Sequence, residues 1–523
     1  MLQGLSLLGP VLGDPGDHPF QALNPATGEA LRPAFHSATD AEVDRAVELA
    51  REAAPALEAL GGVGRAELLR EIALGLEGAA EELVHRVMAE TALPEARVRG
   101  ELGRTCFQLR LFAEVAQEGS WVEARLDAGD PTRTPLPKPD LRSMLHALGP
   151  VAVFGASNFP LAFGALGGDT ASALAAGCPV VAKAHPLNPG TSELVARVAQ
   201  GALARRDLPF GCFSLLFDAG HTVARRLVQH RDIRAVGFTG SFKGGRALMD
   251  LAAARPEPIP VYAEMGSVNP VVVLPGALAT RREALGRTLA ASVLNGVGQF
   301  CTCPGLILAV KGEGFDAFHA GLAQALQGGA PAPMLGEGLA TAYREALTHR
   351  VAEGATAAFA SLEAPPRCGS AQLLETSAAT FLAHPTLGEE VFGPATLLVT
   401  CASEAERAAV VAALPGQLTS TVWLEPTDEP LAAALLPRLR RLAGRVLFNG
   451  VPTGVEVGYA MVHGGPWPAT SAPHTTSVGA SAITRWARPV CYQDAPEALL
   501  PLELRADNSL RLGRMRDGRW GRH

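Results

Sequence analysis

Two cysteines, Cys301 and Cys303, flank a threonine in the stretch NGVGQFCTCPG at residues 295–305. A zinc site would need four ligands, and no second cysteine or histidine pair lies at a suitable spacing. A disulfide that spans one residue would be strained. Inert packing is the commoner fate of a cysteine. The chemical alternative is a nucleophile, which needs an oxyanion donor and, for hydrolysis, a base.

Candidate partners follow apolar, strand-like runs of the chain. Asn158 in GASNFP offers an amide donor, and Glu264 in AEMGSVNP offers a base. For Asn158 alone, an Asx-type turn is the stronger interpretation. Lys183 in AKAHP either meets ribose or phosphate oxygens or is a surface lysine. Gly240 and Ser241 in VGFTGSFKGG precede a helix whose free N–H groups favour phosphate, although the pattern is not G-x-G-x-x-G.

Two series of alternating strands and helices would position these residues. Residues 39–118 first form helices that open on a Thr/Asp cap, and the Pro-rich segment LDAGDPTRTPLPKPD predicts an extended excursion. The first series comprises VAVFGA, PLAFGALGGDTASALAAG, CPVVAKA, TSELVARVAQGALAR, FSLLFDA, VARRLVQH, IRAVGFTG and GGRALMDLAAA. The second begins near residue 261 with PVYAEMG and NPVVVL. Such alternation predicts parallel sheets in an α/β fold, with ligands at the carboxyl ends of the strands.

Composition excludes several classes of protein. The 523 residues exceed a single core, and the net charge of −7 provides no basic field for a nucleic acid. The most apolar run, PVAVFGASNFPLAFGALGG, is broken by Asn158 and Pro160, so no membrane helix is predicted. Eight cysteines without a secretory pattern favour a reduced, cytoplasmic setting.

Five segments of the chain resemble the aldehyde dehydrogenase superfamily, in that family's order. They are SNFP around Asn158, FTGS at 238–241, EMGSVNP at 264–270, GQFCTCPG at 298–305 and EEVFGP at 389–394. The resemblance runs from about residue 20 to the C-terminus. It implies a Rossmann-type dinucleotide-binding domain at 1–122 and 148–260 and an α/β catalytic domain at 261–447. It also implies oligomerisation segments at 123–147 and 480–523 and a homodimer or homotetramer.

The same resemblance assigns roles to individual residues. Cys301 holds the fourth place of GQ-x-C and is therefore the nucleophile, while Cys303 is a packing thiol or a redox partner. Asn158 and the Cys301 amide would bind the oxyanion, and Glu264 would activate water. No metal is expected. Residues expected at the NADP or NAD site are Lys183 at the adenosine ribose, Gly240 and Ser241 at the pyrophosphate, Glu390 at the nicotinamide ribose, Phe392 beside the ring, and Phe154 and Ser157 nearby.

Departures from the usual family pattern bear on the cofactor. Ser157 stands where a tryptophan is common, and Pro186 in KAHP stands where an acid usually grips both ribose hydroxyls. Without that carboxylate a 2′-phosphate is not repelled, so NADP is slightly favoured over NAD. His221, Arg225 or Arg226 are candidates for a compensating charge.

Four further segments resemble one branch of the family, which contains α-ketoglutaric semialdehyde (2,5-dioxovalerate) dehydrogenases and NADP-dependent fatty aldehyde dehydrogenases. They are RTCFQLRLFA, PTGVEV, HGGPWPAT and the TSVG segment that continues to YQ. Arg104 and Gln108 lie four residues apart and can share one helix face toward an aldehyde channel. An arginine there suits a substrate carboxylate and favours 2,5-dioxovalerate over a long-chain aldehyde. A surface arginine paired with Glu101 or Glu114 is an equally strong alternative.

Three competing functions remain. An enzyme that passes the thioester to coenzyme A generally lacks the water-activating glutamate, so Glu264 argues against it. A non-catalytic scaffold would be expected to lose Cys301 or its partners. A cysteine hydrolase needs a positioned histidine, and none lies near Cys301 in the sequence.

Overall fold

Helices fill most of the first 118 residues, and strands and helices then alternate. The computed structural model describes residues 2–16 and 19–522. The α-helices are α1 (Asp40–Ala59), α2 (Gly61–Gly78), α3 (Ala80–Thr91), α4 (Glu95–Glu118), α5 (Gly168–Ala176), α6 (Pro189–Arg205), α7 (Thr222–Gln229), α8 (Phe242–Ala253), α9 (Pro275–Leu294), α10 (Phe315–Gln327), α11 (Glu337–Ala352), α12 (Ala378–Ala383), α13 (Glu404–Ala413) and α14 (Glu429–Leu442). The strands are β1 (Leu7–Leu8), β2 (Val11–Leu12), β3 (Pro19–Leu23), β4 (Ala30–His36), β5 (Arg125–Asp127), β6 (Leu141–Ala147), β7 (Val151–Phe154), β8 (Val180–Lys183), β9 (Phe213–Leu216), β10 (Ala235–Thr239), β11 (Val261–Glu264), β12 (Val271–Val273), β13 (Leu306–Val310), β14 (Ala332–Pro333), β15 (Thr356–Ala357), β16 (Cys368–Gly369), β17 (Gln372–Ser377), β18 (Ala395–Cys401), β19 (Gln417–Trp423), β20 (Ala443–Phe448), β21 (Ala487–Gln493), β22 (Arg514–Arg516) and β23 (Arg519–Gly521).

The predicted cap at the start of the helical region is confirmed. Thr39 accepts a hydrogen bond from the Glu42 amide at 3.2 Å, and the Glu42 carboxylate accepts one from the Thr39 amide at 2.6 Å. This reciprocal capping box satisfies two amides that an unmodified helix start leaves unpaired.

The helix predicted over PLAFGALGGDTASALAAG is only half correct, because α5 begins at Gly168. Residues 160–167 instead form tight turns. A Cβ on Gly164 would lie 1.9 Å from the Pro160 carbonyl oxygen, so only glycine allows this close approach of the backbone. The turns follow directly on the GASNFP segment that carries Asn158.

The first sheet has the strand order β11-β10-β7-β8-β9-β1-β2 and is parallel from β11 to β9. Alternate residues of β7 face two different cores, since Val151 and Val153 belong to one apolar cluster and Ala152 and Phe154 to another. A sheet buried on both faces explains why its strands are continuous apolar runs. The register aligns the last residues of neighbouring strands, so their following loops share one edge.

Strand β11 corrects the sequence interpretation, which placed PVYAEMG at the start of the second series. It pairs in parallel with β10 in the first sheet, with Glu264 opposite Thr239. Pairing between strands depends on contacts that are distant in sequence, and a run of strand-like residues does not specify its neighbour. The domain boundaries themselves stay predictions.

The second sheet has the order β15-β17-β18-β13-β12-β19-β20, and a third has the order β21-β6-β5-β22-β23. The second sheet is parallel from β17 to β20 and, like the first, packs apolar side chains on both faces. The predicted α/β class is therefore confirmed. Within the described residues, no helix combines the length and apolarity needed to cross a membrane.

Trp486 ties the segment after the second sheet to the first sheet and its helices. Its ring is fully buried, and its indole N–H donates to Ser172 Oγ at 2.7 Å. The ring of Tyr262 packs edge-on with a centroid distance of 5.6 Å, and the neighbouring Arg485 pairs with Asp169.

We expect Trp486→Ala to lower the free energy of unfolding by about 3–5 kcal/mol, because it leaves a large cavity and removes a buried hydrogen bond. Urea denaturation followed by circular dichroism measures this loss. The matched control is Trp520→Ala, since Trp520 is 56% exposed on β23 and its removal should change stability by less than about 0.5 kcal/mol. Equal losses in the two variants would contradict the anchoring role of Trp486.

Candidate active site

The loop that carries Cys301 is held in place by contacts to its backbone. The Asn269 side-chain amide donates to the carbonyl oxygens of Cys301 at 2.8 Å and Cys303 at 3.0 Å. Gly298 has φ +66°, and a Cβ there would lie 2.1 Å from the Gly393 carbonyl oxygen. The GQFC and EEVFGP segments therefore touch at a point where only glycine fits.

A histidine that is distant in sequence lies beside the cysteine. His463 Nε2 is 3.6 Å from Cys301 Sγ and 3.0 Å from Glu264 Oε1. The second carboxylate oxygen of Glu264 accepts a hydrogen bond from Ser477 Oγ at 2.8 Å. Glu264 and His463 are buried, whereas Cys301 is only partly buried. A thiol, an imidazole and a carboxylate thus meet in one cluster.

The hydrogen bonds identify Nε2 of His463 as a donor. A carboxylate only accepts hydrogen bonds, so the Nε2 that faces Glu264 carries a proton. His463 Nδ1 is buried and has no hydrogen-bond partner in the described part of the chain. The Nε2–H group of His463 donates to Glu264 and is also placed to donate to a thiolate on Cys301.

Burial and charge separate the two ionisable partners. Burial raises the pKa of the Cys301 thiol well above its usual value, and the charge of Glu264 raises it further. Burial also acts to raise the pKa of Glu264, but His463 and the hydrogen bond from Ser477 outweigh it and lower the pKa. Before the reaction, Cys301 is therefore a protonated thiol beside the ionised carboxylate of Glu264. Glu264 is the group of this pair that can accept a proton.

Asn158 lies on the same side of the nucleophile loop. Its side-chain amide donates to the Gln299 carbonyl oxygen at 3.1 Å, two residues before Cys301. The backbone around it is braced by Asn188, whose amide lies 3.3 Å from the Ala156 carbonyl oxygen and 3.4 Å from that of Ser157. The amide of Asn158 is thereby brought next to the thiol-bearing loop.

Residues expected at a dinucleotide lie along the shared edge of the first sheet. Phe154 and Lys183 end neighbouring strands in register. Ser241 caps α8 by accepting from the Gly244 amide at 3.2 Å, and the Gly240 amide donates to the Glu264 carbonyl oxygen. Lys183 is 8% exposed, and its ammonium has no hydrogen bond or ion pair within the described residues. A buried cation and a capped helix start on the same edge of the sheet fit an anionic nucleotide.

A second group of cofactor candidates surrounds a cavity beside the nucleophile loop. Glu390, Phe392 and Cys303 line it together with Ser267. Burial raises the pKa of Glu390 to about 7, and a Cβ on Gly266 would lie 2.5 Å from its carboxylate. Burial also raises the pKa of Cys303 to about 12, so this thiol stays protonated and packs in an apolar cluster. Its redox role stays a prediction.

Arg104 brings an unpaired positive charge toward the site. Its guanidinium carbon lies 5.4 Å from the ring centroid of Phe163, and its Nε and Nη2 atoms are buried without a hydrogen-bond partner in residues 2–16 and 19–522. Burial lowers the pKa of Arg104, and the nearby Cys301 and Glu101 raise it only in part. The amide nitrogen of Gln108 lies beside Gly168 at the start of α5, and its place in the substrate site stays a prediction.

The two acids that could have neutralised Arg104 have other partners. Glu101 accepts hydrogen bonds from the Leu161 amide at 2.8 Å and the Ala162 amide at 3.0 Å, and it forms an ion pair with Arg97. Glu114 accepts a hydrogen bond from the Tyr459 hydroxyl at 3.0 Å. Among the described residues, no ion pair joins Arg104 to either acid. The ion pair that the sequence left open as an alternative is therefore not formed.

Comparison with known proteins identifies the family. The profile of the Aldehyde dehydrogenase family matches residues 13–466. This chain belongs to that family.

Two curated relatives match over nearly their whole length. An alpha-ketoglutaric semialdehyde dehydrogenase 2 from Azospirillum brasilense is 51% identical over 504 residues, which cover 96% of each chain. An alpha-ketoglutaric semialdehyde dehydrogenase from Acinetobacter baylyi is 45% identical over 487 residues, 92% of each chain.

Solved structures of the family share the fold at low sequence identity. Lactaldehyde dehydrogenase from Escherichia coli superimposes with a TM-score of 0.81 at 22% identity, covering 94% of this chain and 99% of that one. Aldehyde dehydrogenase C from Pseudomonas syringae, a C291A mutant in complex with NAD⁺ and octanal, gives 0.80 at 20% identity, covering 94% and 97%. The predicted fold and the predicted aldehyde dehydrogenase activity are confirmed.

In this aldehyde dehydrogenase, the structure brings together Cys301, Glu264 and Asn158, as the sequence predicts, but it adds residues that the sequence analysis missed. His463 lies in HGGPWPAT, Asn269 in EMGSVNP and Ser477 in the TSVG segment. All three segments were noted for their resemblance, but no role followed for these side chains. The presence of a histidine in a noted segment was the one available signal.

Loss of the Ser477 hydroxyl should shift the pH dependence of aldehyde oxidation. Ser477→Ala removes a donor that lowers the pKa of Glu264, so this pKa rises and the acid limb of the kcat/KM profile moves to higher pH. We expect the acid limb to shift by about one pH unit, which is the equivalent of one hydrogen bond. At pH values above the acid limb, kcat/KM should change little.

The matched control is Ser481→Ala, because Ser481 is exposed in the same segment of the chain. Its pH profile should follow that of the wild type. An acid limb that is the same in Ser477→Ala and in the wild type would contradict the assignment of Glu264 as the titrating base.

Proposed function

We propose that this aldehyde dehydrogenase oxidises 2,5-dioxovalerate, which is α-ketoglutaric semialdehyde, to 2-oxoglutarate through a thioester on Cys301. The names of the relatives from Azospirillum brasilense and Acinetobacter baylyi support this substrate. The observation that carries the proposal is the unpaired, partly buried guanidinium of Arg104. A long-chain aldehyde is the alternative, but its alkyl tail offers no counter-charge.

The argument for a carboxylated substrate is electrostatic. A guanidinium withdrawn from water without an acid partner is unfavourable, and a bound carboxylate removes that penalty. Arg445 adds a second positive charge, since its Nε atom is also buried without a partner in the described residues. Its two terminal nitrogens donate to the carbonyl oxygens of Gly454 at 3.0 Å and Pro452 at 2.6 Å. A small keto acid brings its carboxylate and its aldehyde to such a site together.

The reaction begins at the thiol. Glu264 accepts the proton of Cys301, and the Nε2–H of His463 then stabilises the thiolate, which adds to the aldehyde carbon. The amide of Asn158 and the backbone N–H of Cys301 donate to the oxyanion, a contribution of about 3 kcal/mol for each donor. Bound NAD or NADP, held by Lys183, Ser241 and Glu390, would supply the hydride acceptor that the conversion of the adduct into a thioester requires.

Hydrolysis completes the cycle. Glu264, after releasing its proton to solvent, accepts one from a water molecule that attacks the thioester carbon. The Cys301–carbon bond breaks, the proton held by Glu264 returns the thiolate to the thiol, and the carboxylic acid product is released. The presence of this carboxylate next to Cys301 also argues against transfer of the acyl group to coenzyme A and against a non-catalytic scaffold.

Substrate preference tests this proposal directly. We expect kcat/KM for 2,5-dioxovalerate to exceed that for a long-chain aldehyde, and turnover to vanish in Cys301→Ala. Arg104→Gln should reduce kcat/KM for 2,5-dioxovalerate by about 10- to 100-fold, the value of a charged hydrogen bond, while butanal is nearly unaffected. Steady-state reduction of the cofactor measures all three.

Arg110→Gln is the matched control, since Arg110 lies on the same helix and pairs with Glu77. It should retain the activity of the wild type. Equal losses for charged and uncharged aldehydes in Arg104→Gln would contradict the carboxylate assignment. Undiminished turnover in Cys301→Ala would contradict the thioester mechanism.

We further propose that NAD is preferred over NADP, which reverses the preference expected from Pro186. Asp218 follows β9, in the loop next to Lys183 at the end of β8. It is 3% exposed, and its Oδ2 atom has no hydrogen-bond partner in the described part of the chain. Burial lowers the pKa of Lys183 and the charge of Asp218 opposes this, so the two groups are neighbours. A carboxylate there accepts ribose hydroxyls and repels a 2′-phosphate.

Fluorescence titration with NADH and NADPH tests this preference without turnover. The wild type should bind NADH more tightly, and Asp218→Asn should raise the affinity for NADPH relative to NADH by at least about tenfold, because a like-charge contact is removed. Asp207→Asn, at an exposed acid before β9, should leave the ratio unchanged. Tighter NADPH binding by the wild type would contradict the role of Asp218.

We also propose that the third sheet mediates self-association into a homodimer or homotetramer. Strand β21 is the edge of that sheet and pairs only with β6 among the described residues. An unpaired edge strand is a natural place for a second chain to add. The cytoplasmic location stays a prediction, and the eight cysteines, all of them free thiols, agree with a reducing setting.

A further inference from the structure

The cluster of Cys301, Glu264 and His463 has a chemical property apart from aldehyde oxidation. Each residue contributes one donor atom, and the three atoms lie within 4.8 Å of one another. We propose that this triangle binds a zinc ion and that zinc is a reversible inhibitor of the enzyme. The proposal does not depend on the identity of the aldehyde.

The spacing of the donor atoms matches a tetrahedral zinc site. Bond lengths of about 2.3 Å to sulfur, 2.0 Å to imidazole nitrogen and 2.0 Å to carboxylate oxygen place sulfur and nitrogen ~3.5 Å apart and nitrogen and oxygen ~3.3 Å apart. The corresponding distances here are 3.6 Å between Cys301 and His463 and 3.0 Å between His463 and Glu264. These two distances require only small side-chain adjustments, and the third pair of donor atoms, on Cys301 and Glu264, lies within 4.8 Å.

The environment also suits the ion. A thiolate and a carboxylate neutralise its two positive charges, which is required where water is largely absent. Cys301 is partly exposed, so the ion arrives by the route that the aldehyde uses. The fourth position is left for water. Binding releases the thiol proton to solvent, moves the His463 proton from Nε2 to Nδ1, and involves no oxidation or reduction.

One feature of the histidine limits the affinity. Metal-bound imidazoles usually donate their other N–H to an acceptor. His463 Nδ1 has no such partner within residues 2–16 and 19–522. The Nδ1–H that zinc binding creates is thus unsatisfied, which weakens the site and makes the ion removable by a chelator.

Zinc in this position blocks catalysis. It occupies the sulfur lone pair that attacks the aldehyde and the carboxylate that accepts protons. The sequence-based argument against a metal rested on ligand pairs close together in the chain, whereas His463 lies 162 residues from Cys301. The ion is an inhibitor in this scheme, and the reaction itself does not use it.

Binding measurements on the purified full-length protein test the proposal. Zinc titrated in competition with a chromophoric chelator should bind once per chain, and cobalt should give the absorption bands of tetrahedral thiolate coordination. Cys301→Ala should abolish the thiolate band. His463→Gln retains a donor to Glu264 but removes the imidazole ligand, so the affinity for zinc should fall by more than about tenfold.

Two control variants separate this site from other thiols and imidazoles. His474→Gln and Cys491→Ser alter exposed residues and should bind zinc like the wild type. Inhibition of the wild type should be competitive with the aldehyde and reversed by chelator. Absence of one-to-one binding in the wild type would overturn the proposal. Zinc binding by His463→Gln that is as tight as in the wild type would also overturn it, because His463 would then not be a ligand.

Discussion

The hydrogen bonds to the buried carboxylate of Glu264 are the interactions on which the rest of the site depends. An ionised carboxylate withdrawn from water is stable only where hydrogen-bond donors replace its hydration. Ser477 and His463 supply those donors from a segment that follows the second sheet, whereas Glu264 itself ends a strand of the first sheet. The working base therefore exists only when the first sheet and the closing segment have both folded.

The nucleophile is coupled to this carboxylate through the second sheet. Asn269 connects the EMGSVNP segment to the carbonyl oxygens around Cys301, and Gly298 brings the nucleophile loop against Gly393. Glu390 lines the same cavity as Ser267, whose amide lies 3.5 Å from its carboxylate. The nucleophile loop and the residue proposed to hold the nicotinamide ribose are therefore joined by direct contacts.

Charged side chains at two ends of the site lower the stability of the chain but favour the binding of ligands. Arg104 lies toward the proposed substrate carboxylate, and Lys183 with Asp218 lies toward the proposed adenosine ribose. Arg104 is partly buried and Lys183 and Asp218 are buried, and none of them has a full set of hydrogen-bond partners among the described residues, which destabilises the chain without ligand. A ligand that supplies the missing partner binds more tightly for the same reason. The large apolar cores on both faces of each sheet allow the fold to carry this cost.

Local features of this chain could be predicted from its amino-acid sequence, whereas contacts between distant segments could not. The Thr39 cap, the α/β alternation and the family motifs around Asn158, Glu264 and Cys301 were predictable, because caps, periodicity and motif spacing are local properties of the chain. The late start of α5 and the position of β11 were not, because a close backbone approach and a strand partner are set by contacts across the fold. His463, Ser477 and Asp218 gain their roles only by proximity, and His463 reaches Cys301 across 162 residues. Distances of this kind leave no signal in the spacing of one sequence, since packing of the two sheets and the closing segment creates them.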